Sequence, residues 1–163
     1  MMETLGQAGV ELASDFAFAV QLVLKKAMWP KAPLTAGGKR VFVGIESGTI
    51  AGPLLNGIVV PDSGGDYAHE RPDGVIDFDA RYMLQADDGT NIFLQSRGYR
   101  WASEDAMVRM RAQQPVAAHE YYMRVITRFE CETGPHDWLN KHVFVGIGDK
   151  IPYGNIIRYF RIL

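Results

Sequence analysis

The stretch GVIDFDARYMLQADDG, residues 74–89, decides how the rest of the chain is read. Phe78, Ala80, Tyr82 and Leu84 fall on one side of a two-residue period, and Asp77, Asp79 and Arg81 fall on the other. That alternation is the mark of a strand with two unlike faces. Asp87, Asp88 and Gly89 supply the turn that ends it. The charged row either meets water or lines something.

Similar short runs rich in Val, Ile, Phe and Tyr, separated by Gly, Pro, Asn and Asp, recur on both sides of this stretch. They predict strands over roughly 15–25, 39–46, 48–51, 54–60, 74–86, 90–100, 119–132, 140–148 and 155–163. The chain is therefore mainly β, and closing so many strands removes exposed edges, which favours an antiparallel barrel or a strongly curved sandwich. One helix interrupts them. In SEDAMVRMRAQQP, residues 103–115, Ser103 is the N-cap, Glu104 and Asp105 suit the positive end of the helix dipole, and Pro115 ends the run. Met107 and Met110 are read as core cover. The connection NGIVVPDSGGDYAHERPDG, residues 56–74, is the longest irregular segment and gathers several titratable groups.

A length of 163 residues accommodates one domain, so residues 1–163 are read as a single β-barrel domain with residues 1–13 as a disordered N-terminus. Apolar content of 47% with 22% charged residues is that of a globular protein, and no apolar run is long enough to span a membrane. FAFAVQLVL, residues 16–24, follows acidic residues and lacks a basic start, so it reads as a first strand and not a signal peptide. A net charge of −2 provides no basic field for nucleic acid. Cys131, the single cysteine, rules out an internal disulfide and fits a reducing cytoplasm. No glycine-rich phosphate loop, serine triad or clustered metal-ligand set is present, so no cofactor and no metal are expected.

Taken in order, SGTIAGPLLNG (47–57), GGDYAHERPDGVIDFDARYML (64–84), DDG (87–89), EYYMRVITRFE (120–130), WLN (138–140) and FVGIG (144–148) resemble domain-of-unknown-function family 3237, also called UPF0311. The resemblance covers roughly residues 14–163. It implies a calycin-like antiparallel β-barrel with a central pocket, often in a homo-oligomer. It implies no settled activity, although roles in isomerisation or cyclisation of aromatic or polyketide compounds have been proposed for some members. Glu46 stands where the family pattern carries a small or hydroxyl residue.

Several faces mix charge with aromatic groups. Gln95 and Arg97 share a face with Phe93 and Tyr99, and Arg124 and Arg128 share one with Tyr122 and Ile126. Such mixing suits a surface that meets a ligand or a partner. Asp79 beside Arg81 is the leading acid–base pair, with a structural ion pair as its plainer reading. Glu46 is a second carboxylate candidate, and His69 offers an imidazole in the long loop. Asp77, Tyr67, Arg71, Arg97, Tyr122 and Arg124 are candidate ligand contacts. Trp138 and Asn140, two apart, share a side if extended, offering a ring and an amide together.

The expected function is binding of a small oxygenated aromatic or unsaturated acid inside a barrel, with cofactor-independent acid–base chemistry of the isomerase, cyclase or lyase kind. A non-catalytic carrier or sensor, or an oligomeric scaffold, is the alternative. A small-molecule ligand and a homo-oligomer are the expected partners, with no nucleic acid and no membrane. Asp79 and Arg81 are expected to face the pocket.

Overall fold

The computed structural model describes residues 11–163, so the expected disorder of 1–13 falls mostly outside the described residues. Eleven strands follow: β1 (Ser14–Leu24), β2 (Lys39–Arg40), β3 (Val43–Ala51), β4 (Gly57–Val59), β5 (Gly65–Asp66), β6 (His69–Glu70), β7 (Ile76–Ala86), β8 (Asn91–Ala102), β9 (Tyr121–Cys131), β10 (Phe144–Ile151) and β11 (Gly154–Ile162). The helix α1 (Glu104–Arg111) lies between β8 and β9. Around the barrel, β7, β4, β3, β1, β11, β10, β9 and β8 are neighbours in that order, and β8 pairs back onto β7. The result is a closed antiparallel barrel of 8 strands. Short β5 bridges β3 and β7, and β6 with β2 extends the wall beside β7.

The row Phe78, Tyr82 and Leu84 faces inward, with Leu84 fully buried. Turning this row in gains about 1.5–3 kcal/mol per large apolar side chain, whereas turning Asp77, Asp79 and Arg81 in would strip water from three charges. Burial of the apolar row wins, and it fixes the register with β8: Ile76↔Arg100, Phe78↔Gly98, Ala80↔Ser96 and Tyr82↔Leu94. Gly98 is required there, because a Cβ would lie 2.0 Å from the carbonyl oxygen of Arg124.

One end of the barrel is solid. Phe18, Phe129, Phe144 and Tyr159 interlock with ring centroids 5.0–6.4 Å apart, and a 3-10 turn over Asp137–Lys141 presses Leu139 into that end. The other end is overlain by α1. Ser103 caps it by accepting from the N–H of Ala106, and Met107 and Met110 are buried beneath it.

Three local expectations are corrected. No break separates 39–46 from 48–51, because β3 runs through Glu46–Gly48 without interruption. Beyond the expected strand at 54–60, found as β4, the long connection carries β5 and β6, since its backbone groups pair with β3 and β7. Residues 140–143 do not begin a strand: Asn140 lies in the 3-10 turn and β10 starts at Phe144. Among the described residues no helix is long and apolar enough to cross a membrane.

Candidate functional site

Between the aromatic plug and α1 lies a cavity of about 850 Å³. Its wall is chiefly aliphatic, with Leu22, Ile45, Met123, Val125 and Ile157 projecting from the surrounding strands. Against that wall stand polar groups, among them Asp66, Arg100, Lys150 and Asn155, with Ser96, Tyr82 and Tyr159 toward the plug. An apolar cavity with few convergent polar groups is the usual make-up of a small-molecule site.

Asp66 enters the lumen because β5 pairs Asp66 with Ala80, an inward position of β7. Its Oδ1 accepts the backbone N–H of Asp79 at 2.9 Å. Burial pushes its carboxyl up to about 6, against the opposing pull of that N–H and of the Arg100 guanidinium. Asp66 therefore changes charge close to neutrality.

Arg100 lies on the inward row of β8, followed there only by Ala102, and stands opposite Ile76 and Met123. Its guanidinium carbon lies 5.9 Å from the centre of the Phe78 ring. Burial loosens its proton and Asp66 opposes that loss. Its Nε is closed off from solvent and donates to nothing, and the Oδ1 of Asn155 is likewise buried without a donor. Both atoms are enclosed by the wall of the cavity and do not face its open space. Lys150, cross-strand partner of Asn155, is pushed down to about 8 by burial and by the nearby positive charge of Arg100. Its Nζ donates to the carbonyls of Ile151 and Gly154 at 2.7 and 2.8 Å, which ties the β10–β11 turn.

Deeper in, the hydroxyls of Ser96 and Thr127 are 2.8 Å apart, and that of Tyr159 bonds to both and to Tyr82. Burial raises both phenols, so they remain neutral hydroxyls. At the mouth, Arg111 of α1 donates to Glu70 at 2.7 Å, and the N–H of Tyr153 donates to the side chain of Gln113 at 3.0 Å. Gln113 and Tyr153 both adopt left-handed backbone, φ 57° and 55°, so strain is concentrated where helix and hairpin meet.

None of the site residues expected from the sequence lines this cavity. Asp79 and Arg81 stand on the outer face of β7, a correction that follows from the inward choice of Phe78 and Tyr82. Burial alone would raise the Asp79 carboxyl, but Arg97, Gln95 and Arg81 outweigh it and hold it below the usual range. Asp79 is an ion-paired anion, 3.3 Å from Arg97 and 3.5 Å from Arg81. His69, Asp77, Asp79, Arg97, Tyr122 and Arg124 do come together, in a groove of about 820 Å³ on the outside of the barrel.

The other candidates are scattered. Glu46 is exposed on β3. Tyr67 is exposed and packs on Phe42, and Arg71 pairs with Asp73. Trp138 and Asn140 lie at the plugged end: Trp138 packs on Phe144 beneath Arg161, and Asn140 brackets the backbone of Cys131 with two hydrogen bonds. Their expected common direction fails because residues 137–141 coil into a 3-10 turn. Among the described residues no three His, Cys, Asp or Glu side chains gather as a metal site would require.

Sequence reasoning passed over Arg100 and Asp66. Arg100 had a signal: it is the lone charge at the end of the row Ile92, Leu94, Ser96 and Gly98, whose other members are apolar or small. Asp66 had none, since its direction depends on the two-residue strand β5.

Comparison with known proteins places the chain. The family model described as "Protein of unknown function (DUF3237)" matches residues 12–162. A UPF0311 protein of Clostridium acetobutylicum is 30% identical over 125 residues, covering 77% of this chain and 78% of that protein. The crystal structure of a conserved protein of unknown function from Rhodopseudomonas palustris superposes with a TM-score of 0.86 at 23% identity, covering 94% of this chain and 99% of the other. A structure described as that of an enzyme from Penicillium herquei gives a TM-score of 0.72 at 21% identity, over 98% of this chain and 100% of the other.

Proposed function

The chain belongs to the protein-of-unknown-function family DUF3237, and from that premise we propose that it is a cofactor-independent acid–base enzyme of the isomerase, cyclase or lyase kind. Its substrate is a small oxygenated aromatic or unsaturated acid held in the barrel lumen. The observation that carries this reading is the pairing of Asp66, poised near pH 6, with the Arg100 guanidinium inside a chiefly apolar cavity. Arg100 anchors a carboxylate or a developing enolate, for which a fixed, always-charged donor fork is suited. Asp66 takes the proton as carboxylate and returns it as acid. The neutral phenol of Tyr82 completes the polar floor. The barrel is shared with a protein described as an enzyme, so the architecture is compatible with catalysis.

The second reading, a carrier, is favoured by the mostly aliphatic wall, which binds without needing a proton-transfer group. Phenylpyruvate separates the two, being an aromatic acid with exchangeable protons beside a carbonyl. Proton NMR in deuterated water reads both its binding and the exchange of those protons. Exchange well above the buffer rate supports the enzyme; binding with exchange at the buffer rate overturns it in favour of the carrier.

A further inference from the structure

Strand β10 brings an amine into the lumen that the acid–base chemistry of Asp66 does not use. Its inward row is Phe144, Gly146, Gly148 and Lys150, and Phe144 is spent in the aromatic plug. A Cβ on Gly146 would lie 2.5 Å from Val125, and one on Gly148 2.6 Å from Met123, so neighbouring side chains fill the space above both glycines. Lys150 is therefore the one polar side chain of the row, and it lines the cavity with Asp66 and Arg100. Its Nζ donates to the carbonyls of Ile151 and Gly154, and among the described residues no carboxylate pairs with it. The adjacent acid, Asp149, pairs with Arg158 instead. Two hydrogens given to two carbonyls leave a neutral amine with one lone pair to use. Burial and the charge of Arg100 favour that neutral form, bringing Lys150 down to about 8. A desolvated lysine beside another cation is the kind that attacks carbonyl carbon.

We propose that Lys150 forms a Schiff base with the carbonyl group of a keto acid seated in the lumen, which narrows the substrate to acids that carry a ketone or aldehyde. The inference rests on the acid–base reading of the same cavity and adds a covalent step to it. The lone pair of Nζ adds to the carbonyl carbon while the π pair of the C=O bond moves to oxygen, and a proton passes from nitrogen to that oxygen, giving a carbinolamine. Its C–O bond then breaks: the hydroxyl takes the proton of the Asp66 carboxyl and leaves as water, and a C=N bond with a positive nitrogen remains. Asp66, now a carboxylate, removes a proton from the carbon beside C=N, and the electron pair left behind moves toward nitrogen as an enamine. Arg100 holds the carboxylate of the acid throughout. Amine and keto acid become iminium and water, with nothing oxidised or reduced. The iminium draws electrons more strongly than the parent ketone, so a carboxylate of ordinary basicity suffices for the proton transfer.

Trapping with sodium cyanoborohydride tests the step on the full chain, with phenylpyruvate and benzaldehyde as probes and with intact mass and peptide mapping as readouts. Reduction of the iminium leaves a secondary amine, and with phenylpyruvate the chain gains the mass of the probe less one oxygen atom. The label falls on Lys150, on the order of tenfold or more faster than on the exposed Lys25, Lys26 and Lys39 at the mouth. Excess phenylacetate, an acid without a ketone or aldehyde, slows labelling by phenylpyruvate by occupying Arg100. Lys150→Arg keeps donors for the two carbonyls, and circular dichroism checks its barrel; it loses the label and on the order of tenfold or more of the deuterium exchange on phenylpyruvate. No label on Lys150 from either probe, or label spread evenly over the lysines, overturns the proposal. So does a Lys150→Arg chain that exchanges at the unaltered rate, a result that leaves the acid–base role of Asp66 standing. Label on Lys150 with exchange at the buffer rate upholds the Schiff base and removes the acid–base reading instead.

Discussion

The backbone N–H of Asp79 donates to the side chain of Asp66 at 2.9 Å, so two acidic residues of the same wall are joined although one faces out and the other in. Asp79 contributes its backbone to the site and leaves its carboxylate outside with Arg97 and Arg81. Asp66 is the acid that meets the lumen.

A pH dependence of stability follows. The folded state holds the Asp66 proton up to about pH 6, against 3.8 for an ordinary aspartate. Between these values the folded chain binds more protons than the unfolded chain, so stability falls as pH rises through the window. Asp66→Asn removes that fall while keeping an oxygen to accept the Asp79 N–H. Denaturant unfolding should show the variant gaining on the unaltered chain by about 2–3 kcal/mol between pH 4 and pH 7, the size of a two-unit shift.

Arg100→Met keeps the length of the side chain and removes its donors. Phenylpyruvate affinity, measured calorimetrically at neutral pH, should fall by about 10- to 100-fold, the range of a charge-assisted hydrogen bond. Arg81→Ala, on the outer face, should leave that affinity unchanged.

Gly98→Ala tests the wall itself. The added Cβ would meet the carbonyl oxygen of Arg124, a backbone atom with nowhere to move. Thermal or chemical unfolding should show a loss of about 2–3 kcal/mol, the cost of overpacking a close contact.

The barrel was legible in the sequence because most of its strands carry their own period. Phe78, Tyr82 and Leu84 on β7 and Leu94 and Ser96 on β8 alternate clearly, and Ser103 and Pro115 bracket α1. The site was less legible. Period two separates the faces of β7 without saying which is inside, and the mixture of Arg124 with Tyr122 on β9 made the outer face resemble a pocket. Asp66 reaches the lumen through a two-residue strand held between β3 and β7, a pairing set by tertiary structure. Trp138 and Asn140 were misread because the 3-10 turn that holds them has no strong sequence period.

The most direct test of the central claim compares Asp66→Asn with Asp79→Asn in the deuterium-exchange assay on phenylpyruvate. Both variants preserve shape, and each removes one titratable carboxyl from opposite sides of the same wall. With Asp66 as the proton-transfer group, Asp66→Asn loses on the order of a hundredfold or more in exchange rate while still binding the acid, and Asp79→Asn exchanges at the rate of the unaltered chain. A collapse of exchange in Asp79→Asn with full activity in Asp66→Asn would contradict the account and move the chemistry to the outer face.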